Sequence, residues 1–162
     1  MNTPASLPGS AQRVADLLAS LGHDQPVVVL PSSGKTSAEA AAGLGCTVAQ
    51  IAKSIVFRRR ADDAAVVVIA SGAHRVDAQK VAALVGPLGK ADADFVKART
   101  GYSIGGVSPV GQPGDVTLLI DESLLAFDTL WAAAGHPHAV FRLTPAQLLR
   151  LTGAQAVDVA QQ

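Results

Sequence analysis

The chain has 162 residues, 49% of them hydrophobic, enough for one domain with a real core, since a chain of this size can bury roughly 70% of its unfolded surface. Thirteen basic residues balance thirteen acidic ones, for a net charge of zero, which excludes a broad attraction to polyanions while leaving room for a local basic rim. One cysteine, Cys46, rules out an intramolecular disulfide and fits a reduced, cytoplasmic setting.

Residues 1–9 read as a flexible leader and residues 10–160 as the domain. The leader lacks the basic-then-apolar pattern of a secretory signal, and the apolar run Ala64–Ala70 is too short to span a bilayer. Ser10 is positioned to cap a helix to Leu21, because Val14, Leu17, Leu18 and Leu21 share a face and Gly22 offers a stop. Gln25–Leu30 reads as a short strand bounded by prolines, and Pro31–Lys35 as a loop. The GKT within and after that loop lacks the upstream glycine spacing of a phosphate loop. Thr36 with Glu39 forms a capping box for a short helix through Ala42, and Thr47 with Gln50 repeats the pattern.

Ile51–Arg58 alternates as a strand, placing Lys53 on the face of Ile51, Ile55 and Phe57. A lysine on an apolar face either snorkels to water along its stem or projects into a pocket; the alternation allows both. Arg58–Asp63 is a charged hairpin connection, read as a solvated turn or as a basic patch with Arg75 and Lys80. Val66–Ala70 is the return strand, and Ser71–Arg75 a loop. Asp77 caps a helix Ala78–Val85 that Gly86 stops, and Asp92–Arg99 is the next helix. Val116–Ile120 is a strand with Asp121 at its end. Phe127–Ala133 reads as a strand, Gly135–His138 as a loop and Ala139–Arg142 as a strand. Thr144-Pro145-Ala146-Gln147 starts a helix that Gly153 ends, and Val157–Val159 adds an edge strand. Short strands interrupted by helices, without regular strand–helix alternation, predict a single α/β mixed domain. Its sheet would be mostly antiparallel, curved or barrel-like, and flanked by helices.

Between the fourth helix and the Val116 strand lies TGYSIGGVSPVG, Thr100–Gly111, with four glycines, a proline and the only tyrosine. Glycines permit backbone conformations and close approaches that a Cβ forbids, so this stretch is either a turn or bulge between elements or backbone shaped around a ligand. No CxxC or HExxH pattern is present, so no zinc centre is signalled, and Ser54 and Ser108 sit outside a nucleophile-elbow context. His136 and His138 flank Pro137 without further ligand candidates, and no metal is expected. Lys53, the glycine-rich stretch, Asp121 and the Gly135 loop could converge so that an ammonium and backbone N–H groups hold a carbonyl or phosphate oxygen.

Thr100–Gln112, IAKSIVFR at Ile51–Arg58, VDAQKVAALVG at Val76–Gly86, LLID at Leu118–Asp121 and AAGHPHAVFRLTPAQLLRLTGA at Ala133–Ala154 together resemble the YbaK/EbsC family. These are freestanding editing domains associated with prolyl-tRNA synthetase, and the match runs in order from about residue 36 to 159. The resemblance implies a β-barrel-like sheet flanked by helices and trans hydrolysis of mischarged tRNA, notably cysteinyl- or alanyl-tRNA(Pro). The ligand would be the 3′-terminal aminoacyl-adenosine, with no cofactor; prolyl-tRNA synthetase is a candidate partner, no membrane is involved, and a monomer is expected. By position, Lys53 matches the lysine needed for deacylation, and Gly105, Gly106, Val107, Ser108 and Pro109 match the GxxxP loop that approaches the acyl group. Gly101 and Tyr102 match the entry to that loop, Asp121 an acidic residue at the pocket strand end, and Gly135 a glycine on the opposite wall. Thr36 and Ser37 fall where relatives place a hydroxyl at the pocket mouth. His136, with Pro137 and His138, stands where many relatives carry a glycine or a basic residue, which leaves the preferred amino acid open. A non-catalytic module binding an aminoacyl-tRNA or a nucleotide-like molecule, and a hydrolase of another ester, are the alternative readings.

Overall fold

A run such as VVVIA can be buried on both faces only at the middle of a sheet, and that is where it lies. The computed structural model describes residues 7–30 and 36–161; the predicted Pro31–Lys35 loop and the first six residues of the leader fall outside them. In chain order the elements are α1 (Gly9–Ser20), β1 (Val27–Val29), α2 (Ser37–Leu44), β2 (Ile51–Arg59), β3 (Ala65–Ser71), α3 (Ala78–Val85) and β4 (Leu88–Lys90). They continue with α4 (Ala93–Thr100), β5 (Thr117–Asp121), β6 (Leu130–His136), β7 (Ala139–Leu143), α5 (Pro145–Thr152) and β8 (Gln155–Val157). Short 3-10 turns occupy Val48–Gln50 and Glu122–Ala126.

The strands form one sheet in the order β1-β7-β6-β2-β3-β5-β8, with β4 pairing β2 off that path. The fold is the expected α/β mixed domain with helices against a curved sheet. Pairing is less antiparallel than the strand pattern suggests: β2–β6, β3–β5 and β5–β8 are parallel. The helices and long connections between these partners supply the crossovers that parallel pairing requires.

Every residue of β3 is buried. Val67 and Ile69 enter the main core, with Phe141 of β7, Ile120 of β5, and Val14 and Leu18 of α1. Val66, Val68 and Ala70 face the other way, onto Val81 of α3 and Val159. A third cluster seats Ala40 and Ala41 of α2 on Ile51 and Val140. Small side chains dominate, so the helices approach the sheet closely.

The helix starts follow their caps. Thr36 Oγ1 accepts from the Glu39 N–H at 3.1 Å, Asp77 from Gln79 at 3.0 Å, Asp92 from Phe95 at 2.8 Å and Thr144 from Gln147 at 3.1 Å, each satisfying a donor the helix leaves open. The first helix differs: it begins at Gly9 after Pro8, with no side-chain cap from Ser10, and Leu7 already packs on the core. Two strand boundaries also move. β6 runs through Gly135 to His136, with a register shift between Ala133 and His136, so the reversal is only Pro137-His138. β8 lies at Gln155–Val157, ahead of the predicted span, while Val159 packs as core.

Candidate active site

β2 carries the centre of the site. Its register pairs Lys53 with Ala70 and Ala52 with Ser71, and it runs parallel to the start of β6. Between β2, β6, α2 and the glycine-rich segment opens a cavity of about 410 Å³. Lys53, Gly105 and Val107 line it, with Thr36 and Ser37 at the α2 side and Pro137 from the β6–β7 reversal. Its remaining wall is mostly apolar, with alanines such as Ala52, Ala132 and Ala133 beside the larger Ile51, Ile104 and Trp131. Two segments some fifty residues apart, IAKSIVFR and the GGVSP stretch, therefore face one space. Lys53, for which the sequence left two readings open, lines this cavity.

Half-buried, Lys53 directs its ammonium to the carbonyl oxygen of His74 at 2.6 Å. Burial pushes its pKa below the usual lysine value; the Arg75 guanidinium adds to that, and the Asp121 charge opposes it. No carboxylate, imidazole or thiol lines the cavity among the described residues, so Lys53 is the ionisable group in its wall. Ser54 also lines the cavity, and its hydroxyl is buried without a hydrogen-bond partner among the described residues.

The glycine-rich segment folds in two parts. At its tip Gly105 adopts φ +88° and is exposed beside Pro137. Gly106 presses on the neighbouring strand so closely that a Cβ would lie 2.8 Å from the His136 backbone. Behind the tip, Tyr102 is 1% exposed and donates its hydroxyl to the Val110 carbonyl at 2.6 Å; burial raises its pKa. Ser108 is fully buried, its hydroxyl accepting from the Val110 N–H at 3.4 Å.

Several expected contacts must accordingly be reassigned. Gly106, Ser108 and Pro109 lie outside the cavity lining and shape its wall from behind. Gly101 caps the C-terminus of α4, and with Tyr102 it borders a separate shallow concavity under Arg13. Gly135 packs against the Ser10 carbonyl of α1, and Pro137 takes the place expected of Gly135 and His136 in the wall. His136 Nδ1 accepts the His138 N–H at 3.1 Å, which leaves its ring proton on Nε2. No cluster of three metal-ligating side chains occurs among the described residues.

Asp121 needs the largest correction. At 1% exposure it cannot be reached by a ligand. Its carboxylate accepts from the Ser123 hydroxyl at 2.7 Å, the Ser123 N–H at 3.0 Å, the Ser71 N–H at 3.2 Å and His74 Nδ1 at 3.3 Å. Burial alone would raise its pKa, but those hydrogen bonds prevail and hold it below the usual carboxylate value. His74 and Ser123 were not singled out in the sequence, because nothing in local spacing links residues 71–75 to 121–123.

The arginines of the β2–β3 hairpin are engaged within the chain. Arg58 pairs with Asp63, Arg59 with Asp62, and Arg60 donates to the Leu88 carbonyl. Lys80 is held by Asp158 and the Ala160 carbonyl. Arg75 is exposed near Lys53. Among the described residues, no helix is long and apolar enough to cross a membrane.

Comparisons with known proteins match most of the chain. The family model described as aminoacyl-tRNA editing domain matches residues 31–151. A solved structure described as a proposed trans-editing enzyme for prolyl tRNA synthetase is 43% identical, with TM-score 0.90, covering 97% of this chain and 100% of its own. A scaffold protein used for computational epitope grafting is 41% identical, with TM-score 0.88, covering 96% of this chain and 99% of its own. The uncharacterized protein YwhH of Bacillus subtilis (strain 168) is 31% identical over 127 residues, 78% of this chain and 80% of that protein.

Proposed function

The chain belongs to the aminoacyl-tRNA editing domain family, of the YbaK/EbsC trans-editing kind, and from that premise we propose that it is a deacylase acting in trans on mischarged tRNA, with tRNA(Pro) the expected acceptor. The observation that carries this reading is that Lys53, Gly105 and Val107, from distant parts of the chain, line one cavity. The bond broken is the ester between the amino acid and the 3′-terminal ribose. The cavity's size and its alanine-rich wall suit a small acyl group beside the terminal adenosine.

The chemistry is one of positioning. A lysine ammonium has three hydrogens, and the His74 carbonyl takes one of them, which leaves two for a phosphate or ester oxygen of the substrate. Backbone around Gly105 supplies further polar contacts. A preorganised donor set of this kind acts by favouring charge that develops on oxygen. With no carboxylate or imidazole in the described lining, the group that activates water is assigned to the substrate, as its ribose 2′-hydroxyl. The neutral overall charge and the internally paired hairpin arginines favour weak tRNA binding on its own, assisted by a synthetase.

The test is a deacylation panel of Ala-, Cys-, Ser- and Pro-tRNA esters with the wild-type chain and Lys53→Ala. At least one ester is expected to turn over, and Lys53→Ala should slow it on the order of 10²-fold with an unchanged circular dichroism spectrum. Binding of a tRNA ester without turnover would instead favour a recognition module, and equal rates for both proteins would sink the role of Lys53.

A further inference from the structure

Lysine has a long rotatable stem, and holding it in one direction requires an acceptor that is itself held. The partner of Lys53 is a main-chain carbonyl, His74 O at 2.6 Å. This choice has a chemical consequence. A carboxylate in contact would neutralise the ammonium and compete with an anionic substrate oxygen, whereas a carbonyl dipole orients it and leaves its charge in place. The carbonyl belongs to the turn after β3, and that turn is fastened from two sides. On the β2 side, the Gly72 N–H donates to Ile51 O at 2.7 Å and the Ser71 hydroxyl to Ala49 O at 2.8 Å. On the β5 side the fastening is the buried carboxylate of Asp121.

The proton positions in that cluster follow from its acceptors. The Ser123 hydroxyl is 2.7 Å from Asp121 Oδ1 and gives its proton there. His74 Nδ1 therefore faces a serine lone pair at 3.1 Å and a carboxylate oxygen at 3.3 Å, and must itself carry a proton. Asp121 thus grips both ends of the turn, through the Ser71 N–H at 3.2 Å and the His74 ring, with the carbonyl that holds Lys53 between the ring and Arg75. The nearby Asp121 charge also counters Arg75, which disfavours a charged Lys53.

We propose that Asp121 and His74 are positioning residues for Lys53: the Asp121–Ser123–His74 cluster sets the turn at Ser71–Arg75 so that the His74 carbonyl holds the Lys53 ammonium toward the cavity. Neither side chain touches the substrate. The catalytic consequence rests on the deacylase reading above, whereas the placement of Lys53 is measurable without it.

Two measurements on Asp121→Asn and His74→Ala test this. The first needs no tRNA. Lys53 is labelled with limiting acetic anhydride and its modification read by peptide mass spectrometry, normalised to Lys90 and Lys97. An ammonium released from its anchor should react roughly threefold faster or more in both variants, and wild-type labelling in both would overturn the proposal. Should Asp121→Asn fail to fold, His74→Ala decides alone, since the His74 side chain is 39% exposed and its replacement keeps the carbonyl. The second is single-turnover deacylation, where each variant should lower the rate constant about 10-fold with little change in the concentration dependence. In a Lys53→Ala background Asp121→Asn should cost nothing further; an additive loss would mean that Asp121 acts elsewhere and would overturn the proposal. If no ester is turned over by the wild type, the deacylase reading fails while the labelling result still stands.

Discussion

The glycine-rich segment and the turn after β3 both bear on the Lys53 cavity, and they are built by opposite means. The first holds its shape through what is missing and what is buried. Gly106 nestles against the β6 backbone where a Cβ would sit at 2.8 Å, and Tyr102 ties the segment's two ends through Val110. The second holds its shape through charge, with one buried carboxylate gathering donors from Ser71, His74 and Ser123. A steric wall is indifferent to pH and intolerant of added atoms, whereas an ionic one tolerates small changes of volume and fails on protonation. Each can be broken by a change that leaves the other intact.

The largest effect is expected at the glycine wall. Gly106→Ala must displace backbone rather than a flexible side chain, and should cost on the order of 3 kcal/mol of stability or more, equally at pH 5 and pH 8 in urea unfolding. A cost below about 1 kcal/mol would mean the two backbones separate easily and the wall is soft.

At the turn, Asp121→Asn should cost about 2 kcal/mol at neutral pH, the range for hydrogen bonds to a buried charge. The sign with pH follows from the lowered pKa. A carboxyl that titrates lower when folded than unfolded contributes stability fully above its unfolded value of about 3.9 and loses it as the pH falls through the folded one. The gap between wild type and variant should therefore close below about pH 4. Urea titrations at pH 6 and pH 3 would show this, and a constant gap would argue that shape rather than charge fastens the turn.

The smallest effect sharpens the contrast. Tyr102→Phe removes the bond to Val110 but keeps the ring under Arg13, whose guanidinium carbon lies 5.1 Å from the ring centroid. It should cost about 1 kcal/mol without pH dependence, and leave acetylation of Lys53 at its wild-type rate. A change in Lys53 labelling would show that the two walls are mechanically coupled.

Much of this architecture was legible along the chain because its causes are local. Thr36, Asp77 and Thr144 announce their helices, since a cap needs only residues two or three positions apart. Lys53 stood out as a cation on an apolar strand face. Less local features escaped. β4 is only Leu88–Lys90 with a central glycine, too short to show a period, and exists because β2 offers it an edge. Gly135 reads as a loop residue, yet it continues β6 at a register shift where the strand passes close to α1. Among the glycines of Thr100–Gly111, composition does not distinguish Gly105 at the cavity from Gly106 behind it.

By itself the sequence determined the α/β class, the starts of the four side-chain-capped helices, the alternation of β2 and, through matched motifs, the family, because each depends on neighbours within a few positions or on residues in a set order. Only the tertiary structure decided that Asp121 is sealed away from any ligand, that His74 and Ser123 join it, and that the His74 carbonyl is what Lys53 holds. Those partners lie 21 to 50 residues apart along the chain, and hydrogen bonding at that separation is set by the register of β3 against β2 and β5, which no local pattern encodes.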